Sequence, residues 1–145
     1  MKVKDVMSKK LIVCKENNIY EGANLMKKYD IGFLPIVSKN KILGIVTDRD
    51  IVVNSIYNHD DTFNVIHDIK YIDEDSKLNQ ACEIMKENKV KRLLVTNENK
   101  VMGVISLSDI VSHIDNDTFI NTFKTIYEID KNEHDYDVEI DEFYL

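Results

Sequence analysis

Two short stretches hold the residue types best placed to do chemistry, Gly44-Ile45-Val46-Thr47-Asp48-Arg49-Asp50 and Gly103-Val104-Ile105-Ser106-Leu107-Ser108-Asp109. In each, a hydroxyl stands three residues before a carboxylate. A carboxylate accepts several hydrogen bonds on two oxygens, while a hydroxyl both donates and accepts. Such a pair can close the start of a helix, the hydroxyl capping it and the acid bonding back. It can equally face a polar ligand, and the spacing alone fits both. The glycine three residues before each hydroxyl lets something approach the backbone closely. Lys91 and Arg92 form a cationic pair that suits either an anionic ligand or a solvated strand edge, where Lys is common.

The rest of the sequence points away from catalysis. No Ser-His, Cys-His or paired-carboxylate arrangement sits on a Gly-rich turn, and no Gly-x-x-x-x-Gly-Lys phosphate loop occurs. Cys14 and Cys82 lack Cys-x-x-Cys spacing and read as ordinary buried thiols. His59, His67, His113 and His134 show no metal-ligand spacing and read as surface or interface residues. The net charge is −7, yet residues 115–145 hold ten acids against Lys124 and Lys131, so residues 1–114 are near neutral at +1. A near-neutral body with an acidic end argues against nucleic acid, which requires a basic footprint. No apolar run approaches the roughly 18 residues of a membrane span, and an acid at Asp5 interrupts any signal core, so no membrane partner and a cytoplasmic location are expected.

Positioning these residues requires elements, and the chain spells them twice. At an offset of 59 residues Met26 meets Met85, Leu34 meets Leu93, Gly44 meets Gly103, Asp50 meets Asp109 and Ile51 meets Ile110. Ile19, Ala23 and Met26, and likewise Leu78, Cys82 and Met85, form apolar stripes at helical spacing, with starts predicted at Asn18 and Ser76. The runs Leu34–Val37 and Leu93–Val95 precede turns at residues 38–40 and 97–99, and Ile42–Val46 and Val101–Ile105 complete two hairpins. A second helix follows from Thr47 or Ser106. The predicted fold is α/β (α+β), two tandem strand-helix-strand-strand-helix repeats packed about a pseudo-two-fold axis, because so small a sheet cannot cover both faces alone. The organisation predicted is a first repeat over 1–58, a second over 59–114, and an acidic C-terminal helix and tail over 115–145, with residues 53–64 linking the repeats.

Over about residues 3–114 the sequence resembles the CBS-domain family of tandem regulatory domains. The two Gly-x-x-(Thr/Ser)-x-x-Asp stretches carry the resemblance, and Val3-Lys4-Asp5-Val6-Met7-Ser8 is similar to the family's opening segment. The resemblance implies a non-catalytic module that binds an adenine nucleotide, AMP or ATP, as regulatory ligand. Thr47 or Ser106 would lie at the phosphate, Asp50 or Asp109 would accept from the ribose hydroxyls, and Ser108 would be a further nucleotide-binding residue. Arg49, Lys91 and Arg92 would neutralise phosphate, and adenine would slide between Ile12, Val13, Ile72, Phe33 and Pro35. S-adenosylmethionine or another adenosyl ligand is the family's alternative, and a ligand-free dimeric adaptor is a further one. The chain departs from the pattern at Val13 and Ile72, where many relatives carry Thr, and at Gly32-Phe33, which lacks the charge of Lys91-Arg92. The two sites are therefore predicted to be unequal.

The family also implies a homodimer, for which Ile51-Val52-Val53 and Ile110-Val111 offer apolar surface, and an unidentified target protein as partner. Phe119, Phe123 and Tyr127 recur every four residues and predict an amphipathic helix over 116–129. Tyr136, Val138 and Ile140 alternate with acids, a pattern that suits a strand, an extended docking arm or a disordered tail.

Overall fold

The computed structural model describes residues 1–64 and 66–128, so the alternating segment at Tyr136–Ile140 lies outside the described residues. Strands β1 (Phe33–Ser38) and β2 (Lys41–Thr47) form an antiparallel hairpin, and β4 (Arg92–Asn97) and β5 (Lys100–Ser106) form its copy. Between them runs β3 (Tyr71–Asp73), parallel to β4 in a three-stranded sheet. Both hairpins turn through two residues with positive φ, Lys39 and Asn40 in one, Glu98 and Asn99 in the other. That conformation matches the right-handed twist of the flanking strands. Even the irregularities repeat: Phe33 opposes Thr47 as Arg92 opposes Ser106, and the register shifts after Ile36 and after Val95.

Helix α1 (Ile19–Tyr29) starts where Asn18 Oδ1 accepts from the N–H groups of Tyr20 and Glu21. Helix α3 (Leu78–Asn88) begins one residue later than Ser76 predicts, because Gln80 Oε1 takes the Lys77 N–H at 2.9 Å. Both end on a left-handed residue, Asp30 or Lys89. After each hairpin comes a short turn of helix, α2 (Asp48–Asp50), which widens into a π-helix over Ile51–Ile56, and α4 (Leu107–Ile110). The helical part thus extends to Ile56, into the stretch predicted as linker. Ser55 is fully buried there, and its hydroxyl donates to the Thr62 carbonyl at 2.8 Å.

The repeats exchange their lead segments. Ser8 pairs with Val104 of β5 through two backbone bonds of 2.9 Å, while His67 pairs with Ile45 of β2 through bonds of 2.8 and 2.9 Å. Side chains follow the backbone. Val3, fully buried, joins the cluster of Ile72, Met85, Leu93 and Ile105, whereas Phe63 joins Cys14, Met26, Leu34 and Val46. Lys2 and Lys4 both reach Asp75 Oδ1 at 2.8 Å, and these two ammonium groups hold the Asp75 carboxyl at about 2, below the ordinary carboxylate range.

The first repeat's opening strand shrinks to one bridge, Cys14 with Ile36. Since Ile72 pairs with Val95, the partner of Ile72 in the other copy is Cys14, one residue beyond Val13. Both cysteines are fully buried and unbridged, and burial pushes each thiol's pKa up. The last described helix, α5 (Asn116–Ile126), is capped by Asp115 and docks on α3 through Ile126, Thr122 and a bond from Lys86 Nζ to Asn121 Oδ1.

Gly44 and Gly103 mark the two crossings. A Cβ on Gly103 would stand 2.2 Å from the Ser8 carbonyl oxygen, and one on Gly44 would stand 2.6 Å from that of His67. Gly103→Ala must therefore push the lead segment off β5. We expect a loss of about 1–3 kcal/mol or more in urea unfolding, the range for forced overpacking. Unchanged stability would mean the crossing tolerates displacement.

Candidate functional site

The two hydroxyl–carboxylate pairs both form capping boxes. The Thr47 N–H donates to Asp50 Oδ2 at 2.8 Å and the Asp50 N–H to Thr47 Oγ1 at 3.3 Å. In the second copy the Ser106 N–H donates to Asp109 Oδ2 at 2.8 Å and the Asp109 N–H to Ser106 Oγ at 3.2 Å. Each hydroxyl also donates to the same carboxylate oxygen. Here the likeness ends. Asp50 is 5% exposed, and His67 Nε2 contacts its two oxygens at 2.9 and 3.0 Å, with Asn54 Nδ2 at 3.5 Å from Oδ1. Asp109 is half-buried and is engaged only by Ser106, through Oδ2, among the described residues.

A cavity of about 350 Å³ opens beside the second pair. Lys91, Arg92, Ser106 and Ser108 line it on one side, and Phe119, Phe123 and Tyr127 of α5 and its end line it on the other. Ser106 Oγ and Ser108 Oγ lie 2.8 Å apart, and Lys91 Nζ stands 5.3 Å from the centre of the Tyr127 ring. A second cavity of about 340 Å³ lies beside the first pair, lined by Phe33, Thr47, His67, Asp68, Lys91 and Arg92 among others. The Arg92 guanidinium stacks 4.8 Å from the centre of the Phe33 ring, a distance suited to cation–π attraction. Phe33 and Arg92 occupy equivalent places in the two hairpins, so equivalent positions meet across the pseudo-two-fold axis. Both cavities combine apolar walls with hydroxyls and cations, a lining that suits an organic anion.

The remaining predicted residues are placed less centrally. Pro35 is buried within β1 and Ile72 within the second core, so neither lines these cavities. Val13 is half-buried beside the first sheet, and Arg49 is exposed without an ion pair among the described residues. The glycines make room for the exchanged backbone rather than for a small molecule.

Two contributions escaped the sequence. His67 carried no spacing signal, because its partner Asp50 is reached only through the crossing of the lead segment. The aromatic stripe of α5 was legible as a helix face, but Phe123 and Tyr127 remain 45% and 46% exposed and edge the cavity, while Thr122 and Ile126 do the packing. Among the described residues no three His, Cys, Asp or Glu side chains gather as a metal site, and no helix is long and apolar enough to cross a membrane.

Known proteins agree with this architecture. A family model described as CBS domain matches residues 3–56 and 63–116. An uncharacterised protein of Bacillus subtilis, YlbB, is 31% identical over 117 residues, covering 75% of this chain and 79% of the relative. Hypoxic response protein 1 of Mycobacterium tuberculosis is 29% identical over 112 residues, covering 72% of this chain and 78% of its own. A crystal structure of a hypoxic response protein I with two coordinated zinc ions superposes with a TM-score of 0.68 at 27% identity, covering 79% of this chain and all of that one. The CBS domain pair of the protein MJ0100, solved with 5′-methylthioadenosine and S-adenosyl-L-methionine, gives 0.67 at 27% identity, over 77% of this chain and 94% of that one. With two matched repeats, two equivalent hairpins and paired hydroxyl–carboxylate turns, the chain belongs to the CBS domain family as a tandem pair.

Proposed function

We propose that this chain is a non-catalytic regulatory module that binds an adenine nucleotide, AMP or ATP, at its second hydroxyl–carboxylate turn and relays its presence to a partner protein. The observation that carries this reading is the state of Asp109. Its Oδ1 has no partner among the described residues, and Ser106, which its Oδ2 holds, lines a cavity together with Ser108, Lys91 and Arg92. Ribose hydroxyls would donate to that oxygen, and phosphate would meet the hydroxyls and cations. An S-adenosylmethionine-type ligand is the second reading, supported by the MJ0100 pair solved with two adenosyl compounds. It would place the same ribose on Asp109 without calling on Lys91 and Arg92 for phosphate.

The module acts as a homodimer in this reading. Val52, Val53, Ile56 and Tyr57 of the first repeat and Val111 of the second are exposed and apolar, whereas Ile110, which the sequence also offered, is fully buried and unavailable. Two-fold pairing is the commonest way to cover such a face.

Three measurements test these statements. A thermal-shift screen of AMP, ATP, S-adenosylmethionine and GTP should show stabilisation by AMP or ATP and none by GTP. At about a hundred times its dissociation constant a ligand adds roughly 2.7 kcal/mol. Stabilisation by S-adenosylmethionine alone selects the second reading, and no shift with any adenosyl compound favours a ligand-free adaptor. Asp109→Ala should weaken the stabilising ligand by about 1.5–3 kcal/mol, roughly ten- to a hundredfold. Asp50→Ala should instead cost about 1–3 kcal/mol of folding stability, because it removes the carboxylate that caps at Thr47 and accepts from His67. Unchanged affinity in Asp109→Ala would remove that residue from the site. Finally, sedimentation at micromolar concentration should give a dimer, and only monomer would reject the pairing.

A further inference from the structure

We infer that His67 is a built-in occupant of the first site and holds this chain to one nucleotide per chain. The inference rests on the adenine-nucleotide reading and adds to it the residue that decides which turn can bind. His67 is fixed by backbone bonds to Ile45 on both sides of its Cα, so its ring is delivered to Asp50 by the fold. A carboxylate only accepts, so Nε2 is the donor in the contacts at 2.9 and 3.0 Å. About half of the His67 side chain is in solvent, yet the Asp50 carboxylate beneath it is 7% exposed. The imidazole is therefore the lid over the acid, and a ribose cannot reach Asp50 while it is there.

The molecule contains its own control. Ser8 occupies the place of His67 in the other crossing and makes the same backbone pair, with Val104. Its hydroxyl accepts from the Lys10 N–H at 3.3 Å and makes no bond to Asp109. One acid is covered by a ring and the other is not, and the ring sits on one of two equivalent backbones; Asn54 Nδ2, 3.5 Å from Asp50 Oδ1, adds a weaker contact at the first turn. The room exists at the first turn: Phe33, Thr47, Lys91 and Arg92 already line a cavity with His67 on its wall. Removing the ring joins Asp50 to that cavity.

Calorimetric titration with AMP, ATP and S-adenosylmethionine, each in turn, tests this. Wild type should bind one equivalent per chain of whichever compound it takes. His67→Ser, which copies the second crossing, should bind two. His67→Gln keeps a donor near the Nε2 position and should remain at one. Ser8→His, the converse change, should weaken the remaining site by tenfold or more, and it decides the matter if His67→Ser does not fold by circular dichroism. Two equivalents in wild type, one in a folded His67→Ser, or an unweakened site in Ser8→His would each overturn the role of His67 and leave the nucleotide reading standing. No binding to wild type or to folded His67→Ser would overturn both.

Discussion

Two pairs of backbone hydrogen bonds, Ser8 with Val104 and His67 with Ile45, constrain everything else in this chain. Each lays the lead segment of one repeat along the sheet edge of the other, and each needs a glycine beside it because the crossing carbonyl leaves no room for a Cβ. Each bond is worth only about 0.5–1.5 kcal/mol net. The crossings bring more than that, since they carry Val3 and Phe63 into the opposite cores, and a buried aliphatic or aromatic side chain contributes roughly 1.5–3 kcal/mol. Against a typical total of about 5–15 kcal/mol, neither crossing is dispensable. The two repeats are halves of one cooperative body.

That body was legible where local pattern and tertiary structure agree. The repeat offset carried through to strand register, turn and bulge, because residues such as Leu34 and Leu93 must face equivalent cores. Asn18 as a helix start and Asn40 and Asn99 at the turns are local chemistry, and local chemistry can be read from a sequence. The failures are non-local. Nothing near Gly103 says that the approaching backbone is Ser8, so the glycine announces only that something comes close to the chain there. Val13 looked like the counterpart of Ile72 because the offset is constant later in the repeat. The connection from opening strand to helix is one residue shorter in the first copy, and Cys14 takes the position instead. The hydroxyl and carboxylate of each capping box were visible, but whether the acid has oxygen to spare depends on what the other repeat delivers.

The same crossings make the two turns chemically different while leaving them geometrically alike. Asp50 spends both oxygens on Thr47 and His67, whereas Asp109 spends one on Ser106. Lys91 and Arg92 border both cavities, since the start of β4 lies at the pseudo-two-fold axis, where Arg92 covers Phe33. The two turns thus share a single pair of cations at their cavities, although their cores are separate. The aromatic edge of α5 adds a wall to one side only. Duplication supplied the symmetry, and single residues off the repeat pattern removed it.

The exchange also sets a clock for synthesis. On the ribosome, Ser8 is made well before the strand it docks on, which is completed only when Ser106 has been added. At roughly 5–20 residues per second, the opening segment spends on the order of five to twenty seconds without its partner, its apolar side chains available to chaperones or to a neighbouring nascent chain. The first hairpin meets its own crossing strand far sooner, because His67 follows Ile45 closely in the chain. Vectorial synthesis therefore closes the first sheet early and leaves the second to be sealed by a segment made well before it.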